Sequence, residues 1–281
     1  MLMLPREPRG RRPYAVLCIA GTDSAGCSGL AADLKTVAVL GGHGMLAVTA
    51  VTAQDTRGVR AVGPVAARIV GAQIDAVLED VGADAVKVGM LQRASTVRAV
   101  AAALARGGAR RVVVDPVLRS TTGRALLDDA GLCCLIERLL PLADLVTPNL
   151  PEAEALLGHA VRGLAGMKAA ARQLLDLGAR AVLVKGGHRR GEAVDLYADA
   201  TEEIALCAPR IASVDTRGTG CVLSTACACF LAQGVPPPQA VRLAKSLVTA
   251  AIGHAYRLGR GAGPVGVVAA GRDLESRPDG A

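Results

Sequence analysis

The sequence predicts an α/β fold, with a mostly parallel central sheet covered by helices on both faces. Three observations carry that expectation. Short β-branched runs alternate with stretches of helical period along the chain, as in strand–helix–strand crossover units. Hydrophobic residues make up 51% of the 281, yet Trp is absent and Phe230 is the single phenylalanine. A core of Ala, Val and Leu suits close helix-on-sheet packing better than a β-sandwich. Polar residues gather where the strand runs end, and in open α/β sheets ligands bind beyond the carboxyl ends of the strands.

Residues 1–13, rich in Pro and Arg, are expected to form a disordered basic tail. Ala15 to Ala20 is the first predicted strand, followed by the loop GTDSAGCSG and a helix from Leu30 to Leu40. Met45 to Val51 is the second strand, and the polar TAQDTRG segment leads to an extended piece from Val59 to Val62. Val70, Ile74, Val77, Leu78 and Val81 recur on one helical face. Further strands are predicted at Ala85 to Val88, Val112 to Val114, Leu145 to Thr147 and Val182 to Val184. Between the last two, a helix carries Met167, Ala170, Ala171, Leu174 and Gly178 on one face. Asp23, Gln54, Gly89–Met90, Asp115, Asn149 and Lys185 each follow a predicted strand. No internal repeat or interdomain linker intervenes, so a single domain is expected over residues 14–268, followed by a polar tail at 269–281.

The formal charge is +7, but Arg6, Arg9, Arg11 and Arg12 sit on the tail against Glu7 alone. A nucleic-acid binder would need a basic stripe interleaved with stacking aromatics, and neither is present. Anionic small molecules are the expected partners. The longest apolar run, Cys221 to Ala232, is too short to span a bilayer and carries Ser224 and Thr225. The opening MLMLPREPRGRRP reverses the order of a secretory signal, which makes the cytoplasm the expected compartment. The eight cysteines include no CxxC pair and no zinc-site spacing. Most are expected to be small buried hydrophobes.

Three segments could carry chemistry. Asp215-Thr216-Arg217-Gly218-Thr219-Gly220-Cys221 precedes an apolar helix, and its glycines would let backbone N–H groups turn inward to hold an anion. On these residues alone it reads equally as a glycine-rich turn capping a helix. Asn149-Leu150-Pro151-Glu152 places an amide and a carboxylate at a helix start, where Glu152 could reach Mg²⁺ or simply favour the helix terminus. Lys185-Gly186-Gly187-His188 ends a buried strand; the lysine could neutralise phosphate or be an ordinary exposed strand end, and His188 is read as structural. A phosphate-binding G-x-x-x-x-G-K-[ST] loop, a dinucleotide fingerprint and a G-x-S-x-G elbow are all missing.

Taken together, the segments resemble the hydroxymethylpyrimidine and phosphomethylpyrimidine kinases of thiamine biosynthesis, a branch of the ribokinase-like superfamily. AGTDSAGCSGLAADLKT (20–36), TAVTAQDTRGV (49–59), KVGML (87–91), VVDPV (113–117), TPNLPEAEAL (147–156), VKGGH (184–188), GTGC (218–221) and GPV (263–265) match in order. The resemblance implies a ribokinase-like three-layer α/β/α fold, a homodimer, and two successive phosphorylations by ATP, of the hydroxymethyl group and then of its monophosphate. It places the pyrimidine on Asp23, Gln54 and Met90. It places the nucleotide on Asn149, Lys185, Thr216 and Gly218, and magnesium on Glu152 and Asp115. Gly218, Gly220, Lys185 and Cys221 are the expected catalytic set. Asp215-Thr216 is similar to the sugar-kinase pattern that holds a monovalent cation, which adds K⁺ to the expected cofactors. A pyridoxal-type vitamin kinase and a catalytically silent pyrimidine binder are the alternative readings.

Cys221 stands where the wider superfamily has an aspartate. A thiol at a helix N-terminus is expected to have a lowered pKa, so Cys221 is read as an assisting but dispensable base. Three positions depart from the family pattern. Cys27-Ser28 crowd the first loop, Thr121-Thr122 precede Gly123 where a lysine–serine pair is usual, and Arg217 replaces a histidine. Arg217 is read as restoring the positive charge lost before Gly123.

Overall fold

The computed structural model describes residues 12–120, 122–187 and 193–275. The chain runs β1 (Ala15–Gly21), α1 (Gly29–Val39), β2 (His43–Asp55), β3 (Gly58–Pro64), α2 (Ala67–Asp80), β4 (Ala85–Val88), α3 (Ala94–Arg106) and β5 (Val112–Val114). It continues with α4 (Asp129–Cys134), β6 (Leu145–Val146), α5 (Leu150–Leu157), α6 (Gly163–Asp176), β7 (Ala181–Val184), β8 (Ala193–Asp199) and β9 (Glu203–Ala208). Three helices close it: α7 (Thr219–Ala232), α8 (Pro237–Gly253) and α9 (Val267–Glu275).

One sheet in the order β3-β2-β1-β4-β5-β6-β7-β8-β9 holds the fold together. β2, β1, β4, β5, β6 and β7 are parallel, while β3, β8 and β9 join antiparallel at the two edges. The expected mostly parallel sheet with helices on both faces is therefore present. The period of two along each strand sorts side chains into the two outer layers. On β1, Ala15, Leu17 and Ile19 enter a core with residues of α2, α3, α5 and α6. Val16, Cys18 and Ala20 enter a second core with residues of α1, α7, α8 and α9. The strand order reverses beside β1, with β2 on one side and β4 on the other, so the loops after β1 and β4 flank a crevice at their carboxyl ends.

Several expectations change. The domain does not stop at residue 268: α9 continues to Glu275, and Val267 and Ala270 are buried in the second core. The hydrophobic spacing of Val267 and Ala270 thus docks a segment that its polar residues hid. Gln54 does not follow its strand but lies within β2, which is prolonged by antiparallel pairing with β3. Val81 and Gly178 fall just beyond the helices α2 and α6. Cys18, Cys27, Cys227 and Cys229 are buried, but Cys133 and Cys207 are exposed, and all eight thiols are free. The expected N-terminal tail (apart from Arg12 and Pro13), Thr121 and His188 lie outside the described residues.

Candidate active site

The loop after β1 is organised by Asp23. Its Oδ1 accepts from the Ala25 N–H at 2.9 Å, and its Oδ2 accepts from the N–H groups of Cys27 and Ser28 and from Ser28 Oγ at 3.2, 2.9 and 2.8 Å. Gly29, at φ +54, lets α1 start against the Gly21 carbonyl, which a Cβ would approach to 2.4 Å. The loop is stitched to β2: Ser24 Oγ donates to the Gln54 carbonyl and accepts the Gln54 N–H, both at 2.8 Å, and Thr52 Oγ1 donates to the Thr22 carbonyl at 2.8 Å. Gln54 Nε2 in turn donates to Ser28 Oγ at 3.3 Å. Met90 is buried in a small apolar cluster with Ala50 and Leu126. The structure thus brings Asp23, Gln54 and Met90 to one end of the crevice. Asp23 acts there first as the loop's organiser, since four donors already occupy its carboxylate.

A second group of side chains meets at the ends of β5 and β7. Lys185 Nζ lies 2.8 Å from Asp115 Oδ1 and 4.0 Å from Glu152 Oε2. Thr147 Oγ1 donates to Asp115 Oδ1 at 3.2 Å, and Ser224 Oγ to Oδ2 at 3.5 Å. Asn149 and Glu152 form a reciprocal capping box at the start of α5. The Asn149 side-chain oxygen, expected on a nucleotide, therefore accepts the Glu152 N–H.

Burial alone would lower the Lys185 pKa, but the Asp115 and Glu152 carboxylates outweigh it and hold the amine protonated. Burial would likewise raise Asp115, yet Lys185 and Lys87 keep it below its ordinary value. For Glu152 burial wins, with Lys185 opposing and Asp115 adding, and its pKa is pushed up to about 7. The sign follows from linkage. A carboxyl with a raised folded pKa gives the folded state an advantage below its unfolded pKa, and that advantage disappears as pH rises through the folded value. Glu152→Gln, which can keep the capping box, is expected to be as stable as the parent at acid pH and more stable above about pH 7. The gap should open between about 4.5, the unfolded value, and 7, as read by urea midpoints across a pH series.

Gly218 is the N-cap of α7 at φ +82, and no side chain caps that helix. The Thr219 N–H donates to the Thr216 carbonyl, and the N–H groups of Gly220 and Cys221 are left at the positive end of the helix dipole. A Cβ on Gly220 would lie 3.4 Å from Lys185 Nζ and 3.7 Å from Asp115 Oδ2, so the loop, the lysine and the carboxylate face one space. Thr216 is exposed and offers its carbonyl to Thr219 Oγ1 at 2.6 Å, which shapes the turn.

Cys221 departs from expectation. Burial pushes its thiol up to about 11; Lys87 opposes this, and Asp33 and Asp115 add to it. Cys221 lies in the first turn of α7, yet desolvation prevails over the helix N-terminus. Arg217 also departs. It is only 5% exposed, its guanidinium lies 3.9 Å from Asp23 Oδ2 and donates to the Thr56 carbonyl at 3.3 Å, and Nε has no partner. Its charge lies against Asp23 of the loop after β1.

A buried group was missed in the sequence. Lys87 of β4 and Asp33 of α1, both fully buried, pair through both carboxylate oxygens at 2.9 Å, and Thr225 Oγ1 donates to Asp33 Oδ1 at 2.8 Å. The signal was a lysine inside the apolar run Ala-Val-Lys-Val and an aspartate spaced with Leu30 and Val37 on one face of α1.

The sequence profile of the Phosphomethylpyrimidine kinase family matches residues 23–266. The chain is 51% identical over 253 residues to a hydroxymethylpyrimidine/phosphomethylpyrimidine kinase of Rhizobium meliloti, covering 89% of this chain and 95% of that one. It is 48% identical over 271 residues to a thiamine biosynthesis bifunctional protein of Geobacter sulfurreducens, covering 96% of this chain but only 54% of that longer protein. Among solved structures, a phosphomethylpyrimidine kinase from Clostridium difficile 630 superposes with a TM-score of 0.77 at 39% identity, over 85% of this chain and 99% of that one. The pyridoxal kinase of Staphylococcus aureus bound to AMP-PCP and pyridoxal gives 0.85 at 32% identity, over 92% and 95%. The fold is ribokinase-like, and the chain belongs to the phosphomethylpyrimidine kinase family.

Proposed function

We propose that the protein transfers the terminal phosphoryl group of ATP to the hydroxymethyl group of 4-amino-5-hydroxymethyl-2-methylpyrimidine and then to the resulting monophosphate, two steps of thiamine biosynthesis. One observation carries this reading: an uncapped helix N-terminus, Lys185 and two buried carboxylates face one space at the carboxyl ends of the strands, the end of the sheet where Asp23 and Met90 also lie. The pyrimidine would lie against Met90 with Gln54 and the loop after β1 at its polar edge. In the first step the alcohol oxygen, and in the second a phosphate oxygen of the monophosphate, attacks the terminal phosphorus; the bond to the bridging oxygen breaks, ADP leaves, and the alcohol proton passes to an oxygen of the transferred phosphoryl group. Lys185 and the first-turn N–H groups of α7 stabilise the charge on the moving group.

Asp115 and Glu152 offer the hard oxygen donors that Mg²⁺ prefers. Among the described residues no cluster of three or more His, Cys, Asp or Glu could hold a metal alone, so nucleotide phosphates would complete the shell. Bound there, Mg²⁺ neutralises phosphate charge. The K⁺ expectation rests on Asp215, whose Oδ1 accepts the Gly263 N–H at 2.6 Å and lies 3.2 Å from Arg257 Nε. A monovalent cation would compete with that guanidinium, so turnover should change little between K⁺ and Na⁺ salts and become K⁺-responsive in Arg257→Ala.

With a thiol pKa near 11, Cys221 is protonated at neutral pH and serves as a packing and orienting group. The loose transition state needs little base assistance. Cys221→Ser is expected to lose less than the ~10²-fold that marks removal of a working base, with the pH–rate profile unchanged. A homodimer is proposed, for which the exposed Leu46 and Val51 of β2 offer an apolar patch. No described helix is long and apolar enough to cross a membrane, and the free thiols suit a reducing compartment such as the cytoplasm.

The test is ADP release with Mg-ATP and three acceptors: the hydroxymethylpyrimidine, its monophosphate and pyridoxal. Turnover of both pyrimidines with little on pyridoxal is the expected result. Turnover of pyridoxal alone would support the second reading, which the TM-score of 0.85 to a pyridoxal kinase keeps in view. Binding of the pyrimidine without turnover of any acceptor would mark a silent relative.

A further inference from the structure

α1 and α7 meet near their N-termini, where Asp33 of α1 accepts from Thr225 Oγ1 of α7 at 2.8 Å. Beside them Gly218 lies so near the Cys27 carbonyl that a Cβ would come within 2.2 Å. Ala32, the neighbour of Asp33, would lie 3.7 Å from that same Cβ, so the start of α7 packs along α1. Lys87 reaches up from the sheet and clamps Asp33 at 2.9 Å from both oxygens. Gly89, just past the end of β4, leaves room for the amine: a Cβ there would stand 2.9 Å from Lys87 Nζ.

Such a pair is a poor stabiliser. Replacing a buried ion pair with well-packed apolar residues is often neutral or stabilising. Stability alone therefore gives no reason for a charged pair here, whereas its position does. Its tie to α7 is Thr225, one turn beyond Cys221, and the residue after Gly89 is Met90, the apolar contact proposed for the pyrimidine.

We propose that Lys87 is a positioning residue for phosphoryl transfer: clamped to Asp33, it fixes the first turn of α7, with Cys221, in register with the loop after β1. This rests on reading the crevice as the transfer site. Burial pushes the Asp33 carboxyl up, while the Asp33 carboxylate holds Lys87 protonated. With both oxygens on Nζ and Thr225 donating as well, the pair is ionised. The charged groups acting on Cys221 are Lys87, Asp33, Asp115 and Lys185; the two lysines lower its pKa and the two carboxylates raise it.

Two variants test the proposal. Lys87→Met with Asp33→Leu removes both charges at once and leaves no unpaired ion; Thr225→Val cuts only the tie between α7 and the pair. In the double variant kcat should fall on the order of 10²-fold, the scale of misplacing reacting groups by about 1 Å, with both KM values within about twofold. Thr225→Val should show the same split at roughly a tenth of that loss. Alkylation of Cys221, followed by peptide mass spectrometry with exposed Cys133 and Cys207 as internal references, should move to higher pH in the double variant. A folded double variant with parental kcat and an unchanged Cys221 profile, or a loss confined to KM, would overturn the proposal. If the double variant does not fold, parental kcat in Thr225→Val overturns it. If the parent turns over none of the acceptors, the proposed function fails, and the alkylation profile still decides the role of Lys87.

Discussion

Lys185→Met is expected to abolish most turnover and to weaken the fold at the same time. The amine touches Asp115 at 2.8 Å and stands 4.0 Å from Glu152, and the Asp115 side chain is only 3% exposed. Removing one partner of a buried pair leaves the other uncompensated, an effect of about 3–5 kcal/mol. Asp115 then loses the cation that holds it ionised. On the proposed function the moving phosphoryl group loses the Lys185 cation, and kcat should drop by about 10²- to 10³-fold, the scale of removing a preorganised charge donor. Stability and activity can be separated by adding Asp115→Asn. The double variant should recover much of the urea midpoint and none of the rate, and the double-mutant cycle gives the coupling. Full stability with parental kcat in Lys185→Met would return Lys185 to the ordinary strand-end lysine that its sequence context equally allows.

Lys185 also shows why the site was partly legible. The ends of parallel strands are set by runs such as Val112 to Val114 and Ala181 to Val184, and the residues just beyond them converge because the strands lie side by side. Asp115, Asn149 and Lys185 could therefore be placed together from order along the chain. What sequence does not show is which atoms are already taken. Asp23 and Asn149 looked free for ligands, but each is closed into a local backbone network, because short Asx side chains compete for nearby N–H groups. Cys221 misled for a related reason: a helix N-terminus is visible in sequence, but the desolvation that raises its thiol depends on α1 packing across it. The edge strands β8 and β9 and the helices α3, α8 and α9 had no separate reading, since their short apolar periods are interrupted by polar residues and only docking selects their buried faces.

Gly218→Ala is expected to be the most disruptive single methyl in the cradle. The residue sits at φ +82, where a side chain is strained by about 1–3 kcal/mol. Its Cβ would meet the Cys27 carbonyl oxygen at 2.2 Å and the carbonyl carbon at 3.3 Å. Both are backbone atoms of a loop pinned by four hydrogen bonds to Asp23, so the strain must displace α7 or that loop. Either movement separates the phosphoryl end of the crevice from the pyrimidine end, and kcat should fall at least on the order of 10²-fold with a lowered melting temperature. Gly220→Ala makes the informative contrast. Its φ is not positive, and its Cβ would meet only Lys185 Nζ at 3.4 Å and Asp115 Oδ2 at 3.7 Å. That methyl fits the folded protein but occupies the space where a phosphate would lie. Gly220→Ala should therefore keep the parental melting temperature while KM for ATP rises. An ordinary helix-capping turn would give the opposite pair of results, with Gly220→Ala silent in every assay and Gly218→Ala affecting stability alone.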